Sequence, residues 1–224
     1  MKKIISLLSV SACLALAGDL VSVEFEGISV PTTDAEKREI RASESVKIDG
    51  KEYKIGYNTI MRSGDKVGEG VFGALYDTNG KLITTKDGSP RISDDNDFSS
   101  LLTYGDKIFM ISHFETRPAA MYVTELKQEA DGKLVAVNTR NIDFSEFGGL
   151  WVPCAGSVTP WGTHLGSEEY EPDARTIKAD GDGGAYYNLM GQYFGGDLTK
   201  LNPYRYGWTP ELKIVSEKGD VEVV

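Results

Sequence analysis

The chain is short of cysteine, histidine and positive charge. Two Cys in 224 residues allow one disulfide at most, which excludes a disulfide-stapled scaffold. Two His, His113 and His164, are too few for a His-rich zinc site. No G-x-S-x-G elbow occurs, so a Ser-His-Asp hydrolase of that design is not expected. Lys and Arg number 24 against 34 Asp and Glu, a net charge of −10. Such a chain lacks the basic face that a nucleic-acid partner needs. Beyond the first twenty residues no apolar run reaches the roughly 18 residues needed to span a bilayer, so no transmembrane segment is expected in the body. Glycine, by contrast, is plentiful at 25 residues, which favours turns and a β-rich fold.

The amino terminus has the three-part form of a secretory signal. Lys2-Lys3 is basic, Ile4 to Ala17 is apolar, and Ala15-Leu16-Ala17 offers a cleavage site before Gly18. Two other readings stay open: a buried first strand or helix, and a lipoprotein signal ending at Cys13. Cleavage after Ala17 leaves residues 18–224, with 22 Lys and Arg against 34 Asp and Glu and one cysteine, Cys154. The expected location is extracytoplasmic, periplasmic or secreted. A lone cysteine there is either buried and inert or chemically used.

The body reads as hairpins. Leu20 to Phe25 alternates as a strand, and Thr32 to Arg41 reads as a short helix or surface linker with Thr33-Asp34 as a cap. Asp49-Gly50, Asn79-Gly80, Gly105-Asp106 and Asp131-Gly132 then separate β-type runs: Ser45–Ile48 and Glu52–Ile55, Phe72–Tyr76 and Leu82–Thr84, Leu101–Tyr104 and Ile108–Ser112, Met121–Leu126 and Leu134–Val137. Asp-Gly and Asn-Gly suit the positive φ of tight hairpins. Their spacing, about 26–30 residues, predicts an all-β fold of antiparallel strands: a sandwich, barrel or propeller. From Val152 onward the pattern reads as a loop rich in Gly, Pro and acid.

That stretch holds the chemistry-bearing residues. Glu168, Glu169, Glu171 and Asp173 put four carboxylates within six residues, downstream of Cys154. In extended chain Glu168 and Glu169 point to opposite faces. Clustered buried carboxylates need a compensating cation. Oxygen ligands suit calcium, and an added thiolate points to a transition metal such as iron. The same residues also read as a solvated acidic loop with Cys154 buried as a small hydrophobe. Ser93 to Asp97 is a solvated turn or a calcium loop. Asp180 to Gly184 lacks the spacing of an EF-hand loop. Trp151, Trp161 and Trp208 read as core or rim packing, with sugar stacking as the alternative.

The run Cys154-Ala155-Gly156-Ser157-Val158-Thr159-Pro160-Trp161-Gly162-Thr163-His164-Leu165-Gly166-Ser167-Glu168-Glu169 resembles the signature C-A-(G/N)-G-x-T-P-W-G-T-x-L-x-C-E-E of PhoX-type alkaline phosphatases. Asn96-Asp97-Phe98 and Ser112-His113-Phe114-Glu115 resemble segments upstream in that family. Arg205-Tyr206-Gly207-Trp208-Thr209-Pro210-Glu211-Leu212 resembles a strand downstream. The resemblance implies a secreted β-propeller that hydrolyses small phosphate esters with iron and calcium. It implies Cys154 and Glu169 as catalytic metal ligands, Glu168 and Glu211 as further ligands, and weaker roles for His113 and Glu115. Such chemistry uses metal charge and needs no Ser or Thr nucleophile. Ser157 and Ser167 depart from Gly and Cys in the signature, His113 and Glu115 are not adjacent, and Lys2-Lys3 replaces an Arg pair. The family's propeller is much longer, so residues 18–224 are expected to be an amino-terminal part of one, a partial propeller of antiparallel blades. A non-catalytic, calcium-stabilised propeller that serves as a binding module is the alternative.

Overall fold

The computed structural model describes residues 21–39 and 41–224; the expected leader and Cys13 lie outside the described residues. The chain divides into two units, one ending at Asn58 and one running from Thr59 to Val224.

In the first unit, β1 (Val23–Phe25), β2 (Ser45–Ile48) and β3 (Lys51–Lys54) form an antiparallel sheet in that order. Asp49 and Gly50 both take positive φ, 49° and 77°, as a two-residue hairpin of this type requires. Among the described residues of the Thr32–Arg41 segment there is one 3-10 turn, Glu36–Arg38. Thr33 Oγ1 accepts from the Glu36 N–H (3.2 Å), and the Glu36 carboxylate accepts from the N–H of Thr32 (2.8 Å) and Thr33 (3.0 Å). This is a reciprocal capping box.

The second unit opens with a ribbon, β4 (Lys66–Val67) and β5 (Gly70–Val71). The hairpin around Asn79-Gly80 forms, but only through isolated bridges such as Tyr76 with Leu82. Asp77 Oδ1 accepts from the N–H groups of Asn79 and Lys81, both at 2.9 Å, and so tightens the turn. Next come β6 (Asn96–Tyr104), β7 (Lys107–Phe114), β8 (Ala120–Gln128) and β9 (Leu134–Asn141), an antiparallel meander in chain order. A second meander follows: β10 (Pro153–Val158), β11 (His164–Glu168), β12 (Glu211–Ile214) and β13 (Val221–Val223). All pairings are antiparallel, and neither sheet closes on itself.

The second meander corrects the loop expected from Val152 onward. Residues 153–168 are a hairpin that turns at Pro160-Trp161-Gly162. Apolar alternation fails there because β10 carries an irregularity between Pro153 and Gly156, which breaks the two-residue period. The irregular stretch is instead residues 169–210, between β11 and β12, with one short helix, α1 (Ala185–Leu189), and several 3-10 turns. Asp182 is spent here, holding Lys178, the Gly184 N–H (3.0 Å) and Asn188 Nδ2 (2.8 Å).

One core joins the two meanders: Leu102, Phe109, Ile111, Met121 and Val123 pack with Leu212 and Ile214. Fully burying one such side chain stabilises the fold by about 1.5–3 kcal/mol. A second core, under the 169–210 insertion, gathers Trp151, Val152, Tyr187, Met190, Tyr193 and Tyr206. The alternation of β7 aims Phe109, Ile111 and His113 at one face and Met110, Ser112 and Phe114 at the other. Among the described residues no helix is long and apolar enough to cross a membrane.

Candidate metal centre

Four chain segments converge at one end of the second unit. Asp97 lies near the start of β6, Glu115 directly after β7, Cys154 on β10 and Glu169 directly after β11. One ligand atom each from Asp97, Glu115 and Cys154 lies within 4.8 Å of the others. Donors on opposite sides of an ion at about 2.3 Å are separated by about that distance. The Glu169 carboxyl adjoins that of Glu115 and helps to raise its pKa.

Backbone bonds hold these positions. The Glu115 N–H donates to Asp95 O (2.9 Å), the Glu169 N–H to Val152 O (3.1 Å) and the Val152 N–H to Thr116 O (3.3 Å). Asn96 Nδ2 donates to His113 O (2.8 Å). Val152 and Tyr170 both take left-handed backbone conformations, at φ 40° and 53°. For a buried β-branched residue such as Val152 this is real strain, and such strain gathers at functional sites.

Under Cys154 lies a buried chain of polar groups. Ser100 Oγ is 2.8 Å from His164 Nδ1, His164 Nε2 is 2.6 Å from His113 Nε2, and His113 Nδ1 is 3.1 Å from Cys154 O. A carbonyl only accepts, so His113 carries its proton on Nδ1. Its Nε2 then accepts from His164 Nε2–H, and His164 Nδ1 accepts from the Ser100 hydroxyl. Burial keeps both rings neutral, lowering His113 to about 4 and His164 to about 3. Phe98 covers both imidazoles, with ring centroids 5.6 and 5.8 Å away. A Cβ at Gly156 would collide with that ring.

The electrostatics of the cluster run against negative charge. Cys154 is pushed up to about 12, first by its hydrogen bond to Asp97, then by burial and by the charges of Asp97, Glu169 and Glu115. Glu115 is raised by burial, by the adjoining Glu169 carboxyl and by repulsion from Glu169 and Asp97. Each group opposes ionisation of its neighbours, and a cation would reverse that opposition. Two or three carboxylates and one thiol, partly open to solvent at Asp97, fit a metal ion by charge, spacing and donor type.

Of the residues singled out in the sequence, Cys154 and Glu115 belong to this cluster and Glu169 adjoins it. Glu168 and Glu211 do not, and their carboxylates are engaged elsewhere. Glu168 Oε1 accepts from the Trp151 N–H (2.6 Å), and its Oε2 accepts from the N–H groups of Gly207 (2.7 Å) and Trp208 (3.1 Å). Burial raises its pKa while these three donors pull it down. Glu211 Oε1 accepts from Trp161 Nε1 and Thr163 Oγ1, both at 2.6 Å, and these bonds lower its pKa. The expectation that Glu168 and Glu169 face opposite ways therefore holds, because they sit in extended chain at the end of β11. Asp97 was not named as a ligand of this centre; its signals were the Asn96-Asp97-Phe98 segment and the acidic Ser93–Asp97 stretch, read as a solvated turn or a calcium loop. Comparison with family models, with curated proteins and with solved structures finds no match to this chain.

Proposed function

We propose that the chain is part of an extracytoplasmic, metal-dependent phosphatase of the PhoX type, and that its two meanders are blades of a propeller. The observation that carries this reading is the convergence of ligand atoms of Cys154, Asp97 and Glu115 within 4.8 Å, with Glu169 adjoining Glu115. Asp97, Glu115 and Cys154 would hold iron or calcium, with Glu169 adjoining. A bound cation supplies the positive charge that a phosphoryl group needs beside these carboxylates. The chain's own part is to hold Cys154 by the His113 bond to its carbonyl and to keep Glu169 beside Glu115. Asp97 is exposed, so the cluster opens to solvent as a substrate site must. A closed structural ion, as in the binding-module alternative, would not leave that opening.

Metal analysis after purification in iron and calcium tests this. Bound metal is expected in the parent and should fall in Cys154→Ser and Asp97→Asn. Phosphomonoester turnover in the longest natural form of the protein should fall with it. Unchanged metal content in a Cys154→Ser, Asp97→Asn double variant would overturn the reading.

A further inference from the structure

Arg117 follows Glu115 by two residues and forms no ion pair among the described residues. Its Nε is buried without a hydrogen-bond partner. The guanidinium lies over the Trp151 ring, 4.6 Å from its centroid, and 5.5 Å from that of Tyr186. Burial lowers its pKa, while the nearby charges of Glu115 and Glu169 oppose that. The same side chain lines a cleft of about 360 Å³, walled by Trp151, Tyr170, Tyr186 and Tyr187. Arg117 thus connects the carboxylate cluster with an aromatic cleft.

We propose that Arg117 is an anion-binding residue and that the cleft receives a flat aromatic group attached to that anion. This inference rests on the phosphatase reading and specifies its substrate class: aromatic phosphomonoesters. A guanidinium matches two phosphoryl oxygens with paired N–H donors, and stacking on Trp151 fixes the plane of that fork. A cleft of this volume lies within the range that takes a small organic ligand. The wall has a fixed frame. Trp151 Nε1 donates to Tyr170 O (2.9 Å), and the left-handed Tyr170 follows Glu169 directly. One turn of backbone therefore sends Glu169 to the cluster and Tyr170 to the cleft. Tyr186 stands exposed at the rim, where a ligand ring can reach it. Four aromatic rings around one unpaired cation suit a ring that carries an anionic substituent.

Calorimetric titration of the metal-loaded chain with phenyl phosphate and with inorganic phosphate tests the proposal. Phenyl phosphate should bind about tenfold more tightly than inorganic phosphate. Arg117→Gln should weaken both by about tenfold, with Arg117→Lys between it and the parent. Tyr186→Ala, at an exposed position, should weaken phenyl phosphate and leave inorganic phosphate unchanged; matching thermal melts would confirm intact folds. Equal affinity for the two probes overturns the proposal, as does binding that ignores Arg117, or none at all. Phosphate binding that survives both chelation and Cys154→Ser would instead overturn the metal-site reading, and the comparison of the two probes would still judge the cleft.

Discussion

His113 Nε2 and His164 Nε2 lie 2.6 Å apart, with both rings fully buried and nearly perpendicular at 84°. Because one end of the chain is a carbonyl, every proton in it has a set place. The two histidines must be opposite tautomers, protonated on Nδ1 in His113 and on Nε2 in His164. Nitrogen-15 NMR of labelled histidine at pH 7 should show one of each. Two rings in the same tautomer, or one charged ring, would refute the assignment. Ser100→Ala leaves His164 Nδ1 unpaired and should cost about 1–3 kcal/mol in urea unfolding.

The same pair predicts acid sensitivity. Unfolded histidine takes a proton near pH 6.5, whereas the folded values lie at about 4 for His113 and about 3 for His164. Below pH 6.5 the unfolded state therefore binds more protons, and stability falls as pH falls. The contribution is complete above pH 6.5 and is lost progressively toward the folded values. Between pH 7 and pH 5 the loss should be about 4 kcal/mol for the pair. Unfolding free energy measured against pH checks this, and His164→Asn should show a slope roughly half as steep. Stability that is flat in pH over this range would show that the rings are not held neutral.

Cys154 should be a sluggish nucleophile when no metal is present. The thiolate is the reactive form, and neighbouring carboxylates hold this thiol at about 12. Iodoacetamide at pH 8 should modify it far more slowly than an unperturbed thiol. Asp97→Asn removes the largest cause, so the rate should rise by about tenfold. Mass spectrometry of the quenched reaction reads the outcome, and an unchanged rate would contradict the Asp97 contact.

Glu168 and Glu211 should differ in cost although both were expected as ligands. Glu168→Gln sets an amide N–H₂ against backbone N–H groups and should destabilise the fold by about 2–3 kcal/mol. Glu211→Gln, at a half-buried position, should cost less. Neither should lower bound metal, whereas Glu169→Gln should. Metal loss in a folded Glu168→Gln variant would return that residue to the ligand set.

Much of this protein is local in origin. The Asp49-Gly50, Gly105-Asp106 and Asp131-Gly132 turns, and the strands between them, follow from the positive φ that such pairs tolerate and from two-residue alternation. The acidic excess and the position of Cys154 fourteen residues before a Glu pair could be read directly. So could the opposed faces of Glu168 and Glu169, since extended backbone dictates them. Tertiary structure decided which face meets which partner. Glu168 turns to three backbone N–H groups, two of them brought by residues 207 and 208, about forty positions away. Glu169 meets Glu115, and Cys154 meets Asp97, only because the two meanders pack edge segments together at one end. The bulged β10 hid a strand whose ladder is made by backbone, not by side-chain pattern. Arg117 gave no signal at all in Glu115-Thr116-Arg117-Pro118. Its meaning comes from Trp151 and Tyr186, which the chain places under it from 34 and 69 residues further along. Ligand sets and clefts are long-range contacts, and a single sequence encodes those through packing and not through spacing.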